Sequence, residues 1–373
     1  MLDVLPVEVI IENKRFFNRR TILFVVGIFV TLILSTIISG LIWYQAQLSP
    51  VGTDISQLEK VTIVSGSTPD QIAKQLKSQS IIRNSTVFRI YLRLSGNNNK
   101  LQAGTYRLSP AETVPQIVDH LVSGSVDQFS ITFYPGATLK DTTDSKKKYD
   151  VTTILKNAGY SDQEIETALN KTYNSPLFFD KPVSADLEGY IYGETYNFNS
   201  GATVEDILQK TFDQFYSVVQ KNNLIEKFKS HGLNLYKGII LASIVQREIN
   251  SPSGQNQPTT DQTQAAQVFY SRLAIGDMLG SDVTYQYIAH KIGVTPDPSI
   301  DSPYNTRLYP DLPPGPIAVP GITSLLAVAQ PATTDYLFFL SGDDDVTHFA
   351  HTDAEHEANK ANYCKIKCAP GIY

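Results

Sequence analysis

The sequence predicts an α+β protein: a single N-terminal transmembrane helix, then a small α/β subdomain, then a larger mixed α+β domain. Three observations carry that expectation. Thr21 to Tyr44 contains no charged residue. Between about residues 61 and 127, short alternating strand patterns are interleaved with helices that have recognisable caps. From about 204 onward the apolar spacing shifts to the 3.6-residue period of helices, with a hairpin pattern near the end. At 373 residues the chain is long enough for two or three folded units.

The 24 residues of Thr21 to Tyr44 reach roughly 36 Å as a helix at about 1.5 Å per residue, enough for a hydrocarbon core of about 30 Å. A cleavable signal peptide is the alternative, but the apolar run is long for one and no small-residue cleavage site follows. Lys14, Arg15, Arg19 and Arg20 precede this segment, whereas the first basic residue after it is Lys60. The positive-inside rule therefore keeps residues 1–20 in the cytoplasm and places everything after about residue 45 outside, with Trp43 and Tyr44 at the interface. Residues 45–60 read as a linker.

In the 61–127 subdomain, Val61 to Val64 alternates like a strand, and Ser67-Thr68-Pro69-Asp70 opens a helix whose apolar face is Ile72, Ala73 and Leu76. A second helix covers Ser85 to Leu94, an extended stretch Ala103 to Leu108, and a third helix runs from Val114 to Leu121, stopping at Ser123-Gly124. An intermediate segment, 128–203, opens with a strand from Phe129 to Phe133, and Lys146, Lys147 and Lys148 read as a solvated loop. In the last domain, 204–373, three helices are expected up to about residue 275. A hairpin of Tyr336 to Leu340 and Val346 to Phe349 follows, around Gly342-Asp343-Asp344-Asp345.

Beyond residue 20 the chain carries 27 basic against 34 acidic side chains, which argues against a nucleic-acid partner. Two cysteines, Cys364 and Cys368, are too few for a disulfide framework. The exported side allows one bridge, provided the local helix has ended, as Pro370-Gly371 permits. No metal site and no cofactor is expected.

Leu241 to Asn250 reads LASIVQREIN. Leu241, Ile244, Val245 and Glu248 fall at i, i+3, i+4 and i+7, so a carboxylic acid occupies the apolar stripe of a helix that starts after Asn234 and stops at Asn250-Ser251-Pro252. Such an acid must be paired, protonated or facing a cleft. Its place in the last turn, at the negative end of the helix dipole, also favours protonation. The alternative is a helix-end acid in a structural ion pair.

Around Glu248 the chain resembles the endolytic murein transglycosylase family, known as MltG or YceG-like. The resemblance is carried by Ala242 to Val245 with Glu248, Val268 to Gly276, Asp282-Val283-Thr284, Ser302 to Thr306, Leu312 to Ile317, Pro320-Gly321, and His348-Phe349 through Glu355-His356. Upstream, Ala103 to Tyr106, Glu188-Gly189 and Thr195-Tyr196 also match, so the resemblance spans about residues 61 to 365. The start of the 61–127 subdomain, VTIVSGSTPDQIAKQL, looks like a LysM-type glycan-binding fold. Three departures stand out: Gly193-Glu194 where the family usually has Pro-Asp, Asp311 where it has Gly, and Gly280 where Gln is common.

The resemblance implies a single-pass inner-membrane protein, catalytic domain outside, that cleaves the bond between N-acetylmuramic acid and N-acetylglucosamine within peptidoglycan glycan strands, leaving 1,6-anhydro ends. It also implies peptidoglycan synthases as partners. Glu248 matches the family's catalytic glutamate. Tyr304, Asn305 and Thr306 suit a sugar by aromatic face and polar groups, with Asp282 and Glu188 as further subsite residues; a self-stabilising Pro-rich turn is the alternative for Tyr304 to Thr306. Rival readings are a non-catalytic peptidoglycan-binding scaffold, a metal hydrolase using His348, His351, His356 and Asp343 to Asp345, and a serine hydrolase. The last two lack HExxH and G-x-S-x-G spacings, and Ser243 lies within the helix.

Overall fold

Polar caps start most of the helices, and the apolar residues that follow them decide which face is buried. The structure, a computed structural model, describes residues 19–124, 128–140, 149–249 and 254–368. Lys14 and Arg15 of the expected cytoplasmic tail, Lys146 to Lys148, the stop at Asn250-Ser251-Pro252, and Pro370-Gly371 lie outside the described residues. The chain divides into two compact units. Of the described residues, the smaller takes in 19–55, 66–102 and 110–123, and the larger takes in 56–65, 103–109 and those from 124 onward.

The smaller unit is helical. Helix α1, Arg19–Leu48, continues past Tyr44 into the expected linker, because Gln45 to Leu48 contains nothing that breaks a helix. Its Leu23–Leu48 stretch is long and apolar enough to cross a membrane, and none of the apolar window is buried. Helix α2, Pro69–Ser78, begins with a reciprocal capping box between Thr68 and Gln71 and buries Ile72, Ala73 and Leu76. Helix α3, Ser85–Leu94, is capped by Asn84, and α4 spans Val114–Ser123.

The larger unit holds three two-stranded antiparallel sheets. Strand β1, Glu59–Ile63, pairs with β2, Gly104–Leu108; β3, Gln128–Thr132, pairs with β4, Thr195–Asn199; and β5, Phe338–Ser341, pairs with β6, Thr347–Ala350. Residues 61–127 are thus shared between units: α2 to α4 belong to the smaller, β1 and β2 to the larger. The strand pair is held by Arg107 of β2. Its guanidinium stacks between the rings of Phe129, at 3.8 Å, and Tyr160, at 4.4 Å, while Lys60 pairs with Glu164 at 2.9 Å.

Helices α5, Val151–Asn157, and α6, Asp162–Leu169, fill the 128–203 segment, capped by Asp150 and by a Ser161–Glu164 box. Four helices rather than three then occupy 204–275: α7, Val204–Lys221; α8, Leu224–Ser230; α9, Leu235–Glu248; and α10, Thr260–Ile275. The additional break comes at Asn223, which adopts a left-handed conformation between α7 and α8. Helices α11, Asp282–Ile292, α12, Ile322–Ala329, and α13, Asp353–Tyr363, complete the unit. Helix α13 ends one residue before Cys364, and Cys364 and Cys368 form a disulfide.

Helix α9 lies at the centre of this core. The stripe expected from the sequence is an understatement: Leu235, Tyr236 and every residue from Gly238 to Val245 are buried, on all faces. Gly238 makes this possible, since a β-carbon there would sit 2.2 Å from the Phe228 ring of α8. The polar side chains of the helix are used internally. Ser243 Oγ donates to Ile240 O and accepts from Ile317 N, at 2.7 and 3.0 Å, and Gln246 Oε1 accepts from Gly321 N and Ser324 Oγ at the start of α12.

Candidate active site

Asn234 caps α9, its Oδ1 accepting from Lys237 N at 2.9 Å, and the helix delivers Glu248 as its last residue. From Gly238 to Val245 the helix is encased; at Gln246, Arg247 and Glu248 it becomes half-buried. The carboxyl therefore sits where a core helix meets the edge of the fold. Among the described residues it makes no ion pair within 4.0 Å, so the structural ion-pair alternative finds no partner.

The direct partner of Glu248 is Ser281, whose Oγ donates to Oε1 at 2.5 Å. Ser281 is the N-cap residue of α11, a position where a serine side chain ordinarily accepts from the helix's own first N–H groups. Here it makes no such cap bond. The hydroxyl is directed at the acid instead. Asp282 follows as the first residue of α11 and pairs with Arg307 through Nε.

Burial pushes the Glu248 pKa up to about 7, and the neighbouring Asp282 charge acts in the same direction; the Ser281 hydrogen bond and the charges of Arg307 and Arg247 pull it down. An acid balanced there can give up a proton and take one back near neutral pH.

Residues 281–284 and 304–307 interlock. Thr306 Oγ1 accepts from Ser281 N at 3.1 Å and bonds Thr284 Oγ1 at 3.0 Å, while Thr306 O accepts from Gly280 N at 2.9 Å. Asn305 Nδ2 donates to Pro298 O and Ile300 O, both at 2.9 Å, and its Oδ1 accepts from Arg307 N. Both side chains are buried, and these hydrogen bonds within the protein occupy their polar groups. Tyr304 is half-buried against Tyr287, with ring centroids 5.3 Å apart, and Asp282 is partly exposed; these two remain able to face a substrate.

Glu188 belongs to a different cluster. It is buried, accepting from Leu139 N at 3.0 Å and from the Tyr287 hydroxyl at 3.2 Å, while Lys291 bonds both Tyr287 and Asp186. Burial first, then the Asp186 charge, raises its pKa to about 8. Through these bonds it links the loop after β3 to α11. Sequence reasoning missed Ser281 and Arg307, although each adjoins a residue it singled out, Asp282 and Thr306.

The residues of the rival sites are otherwise engaged. Ser243 is buried with its hydroxyl bonded on both sides. His348 pairs with Asp344, His351 with Asp335, His356 stacks on Phe338, and Asp343 accepts from the backbone N–H groups of Lys365, Ile366 and Lys367.

The model of the YceG-like family matches residues 61–362. The chain belongs to the YceG-like family. This YceG-like chain is 32% identical over 343 residues to the endolytic murein transglycosylase of Bacillus subtilis (strain 168), the alignment covering 89% of the chain and 92% of that protein. With the endolytic murein transglycosylase of Streptococcus pneumoniae R6 it shares 24% identity, over 86% of the chain but 61% of that longer protein. A crystal structure of a putative YceG-like protein from Listeria monocytogenes superposes with a TM-score of 0.51 at 25% identity, covering 81% of this chain and 98% of the other.

Proposed function

We propose that the chain is an endolytic murein transglycosylase, a lyase that cuts the N-acetylmuramic acid to N-acetylglucosamine bond within peptidoglycan strands without consuming water. The observation that carries this is Glu248, poised near neutrality and held by Ser281 rather than by a cation, while the neighbouring carboxyl, Asp282, is paired with Arg307. Hydrolytic glycosidases work with two carboxyls. One suffices for the lytic reaction. Protonated Glu248 donates to the glycosidic oxygen as the anomeric C–O bond breaks; the resulting carboxylate accepts the proton of the muramoyl 6-hydroxyl as that oxygen bonds to the anomeric carbon. The product is a 1,6-anhydro end, and Glu248 is again protonated.

In this reading the Ser281 hydroxyl stabilises the carboxylate at mid-reaction, Asp282 and Tyr304 flank the bound strand, and Asn305, Thr306 and Glu188 hold the surrounding segments in place. The β1–α2–α3–β2 order of residues 61–127, with its strands paired antiparallel, supports a LysM-like element that keeps the chain on the wall. Mass spectrometry of purified glycan strands after incubation with the full chain in detergent tests the function. Shortened strands with anhydro ends are expected. Binding without shortening would favour the non-catalytic scaffold.

The apolar helix supports membrane anchoring, with the N-terminus in the cytoplasm and the larger unit outside. A reporter that works only outside the cytoplasm, fused after Tyr373, should be active. Activity of a cytoplasm-only reporter at that position would overturn the topology.

A further inference from the structure

Arg272, in the last turn of α10, is half-buried and makes no ion pair among the described residues. Its guanidinium is occupied by carbonyl groups from two separate segments. Nε donates to Leu337 O at 2.7 Å, just before β5, and Nη1 donates to Met278 O at 3.0 Å and Leu279 O at 3.1 Å, while the Phe338 ring lies 4.9 Å from the cation. A planar fork of donors fits this bridging; a point charge would not. The segment it grips leads directly to Ser281. Gly280, between them, has φ +66°, and a β-carbon there would stand 2.8 Å from Arg272 Nη1. On the other side the same turn is pinned by Gly280 N to Thr306 O and Ser281 N to Thr306 Oγ1.

We infer that Arg272 is a positioning residue for the reaction: by clamping the turn at 278–281 between the terminal hairpin and Thr306, it holds Ser281 Oγ on the carboxyl of Glu248. This rests on the reading of Glu248 as the catalytic acid and base. The charged groups that face Glu248 are Asp282 from α11, Arg307 from the loop after Thr306, and Arg247 from its own helix; the charged or titratable groups that face Arg272 are Asp277, Arg307 and, from α13, His356. Arg272→Lys keeps the charge among all of them and removes the fork, so any change at Glu248 arises from geometry.

The test compares pH–rate profiles of the full chain in detergent, read as release of 1,6-anhydro ends, for the wild type, Ser281→Ala, Arg272→Lys and the double variant. Glu248 must start protonated, so the rate falls as pH rises through its pKa near 7. Losing the Ser281 bond removes an interaction that favours the carboxylate, which moves this alkaline limb to higher pH. It should also lower kcat by roughly tenfold to a hundredfold, as for one hydrogen bond to a charged group, with KM little changed. Arg272→Lys should shift the limb in the same direction, and the double variant should move no further than Ser281→Ala alone. A loss of packing alone would lower the thermal midpoint and leave the limb in place. If Arg272→Lys does not fold, Arg272→Gln, which leaves one amide donor in place of the fork, should shift the limb likewise. A wild-type limb in the folded variant, or shifts that add in the double variant, would overturn the positioning role. Retained activity in Glu248→Gln would instead overturn the functional reading on which it rests.

Discussion

Glu248→Gln should lower the release of 1,6-anhydro ends by roughly a hundred- to ten-thousandfold, the usual cost of losing a general acid or base, while the fold stays intact. The amide keeps the size of the side chain and a carbonyl oxygen for Ser281 Oγ, but it has no proton to cycle. Thermal stability at pH 7 should be equal or higher, because the acid is disfavoured as an anion in the folded chain and Gln is neutral. A glutamate held in a structural ion pair would show the opposite: chemistry preserved, stability lost. Thermal melts and product release on the same preparations separate the two patterns.

The second large effect is on stability and involves Glu188 as well. Glu188 and Glu248 both bind protons more tightly folded than unfolded, with folded values near 8 and 7 against the usual 4.5. Their stabilising contribution is therefore complete below about pH 4.5 and is lost as pH rises through 7 for Glu248 and 8 for Glu188. Stability should fall across this window by several kcal/mol in order of magnitude, and the thermal midpoint with it, since each kcal/mol moves the midpoint of a domain this large by about 2–4 °C. Glu188→Gln should melt with the wild type at pH 5 and above it at pH 8. A variant that melts lower at pH 8 would show that the anion is stabilised by Leu139 N, Tyr287 and Lys291, reversing the assigned direction.

What was legible depended on how local the cause was. Thr68 and Asn234 announce helix starts because a cap side chain and the N–H that donates to it lie within three residues, and both caps form. Glu248 was legible because its anomaly, an acid on an apolar period, is contained within two helical turns. Ser281 was not, since its hydrogen bond spans 33 residues and looks in sequence like an ordinary N-cap. Asn305 and Thr306 suggested sugar contacts because their polar groups say nothing about burial; the turn they organise consumes those groups. Helices α5 and α6, of seven and eight residues, are too short to display a period, and α8 was absorbed into its neighbours because Asn223, rather than a proline or glycine, makes the break. The sharing of residues 61–127 between units follows from Arg107 stacking on Phe129 and Tyr160, aromatic partners that no local pattern connects to it.

The central claim, that one carboxyl cuts the strand without water, is tested most directly by running the reaction of the full chain in water enriched in oxygen-18 and weighing the new ends. The expected ends are 1,6-anhydro, one water lighter than reducing ends and free of label, because the attacking oxygen comes from the substrate's own 6-hydroxyl. New reducing ends carrying oxygen-18 would show that water attacks the anomeric carbon and would contradict the account.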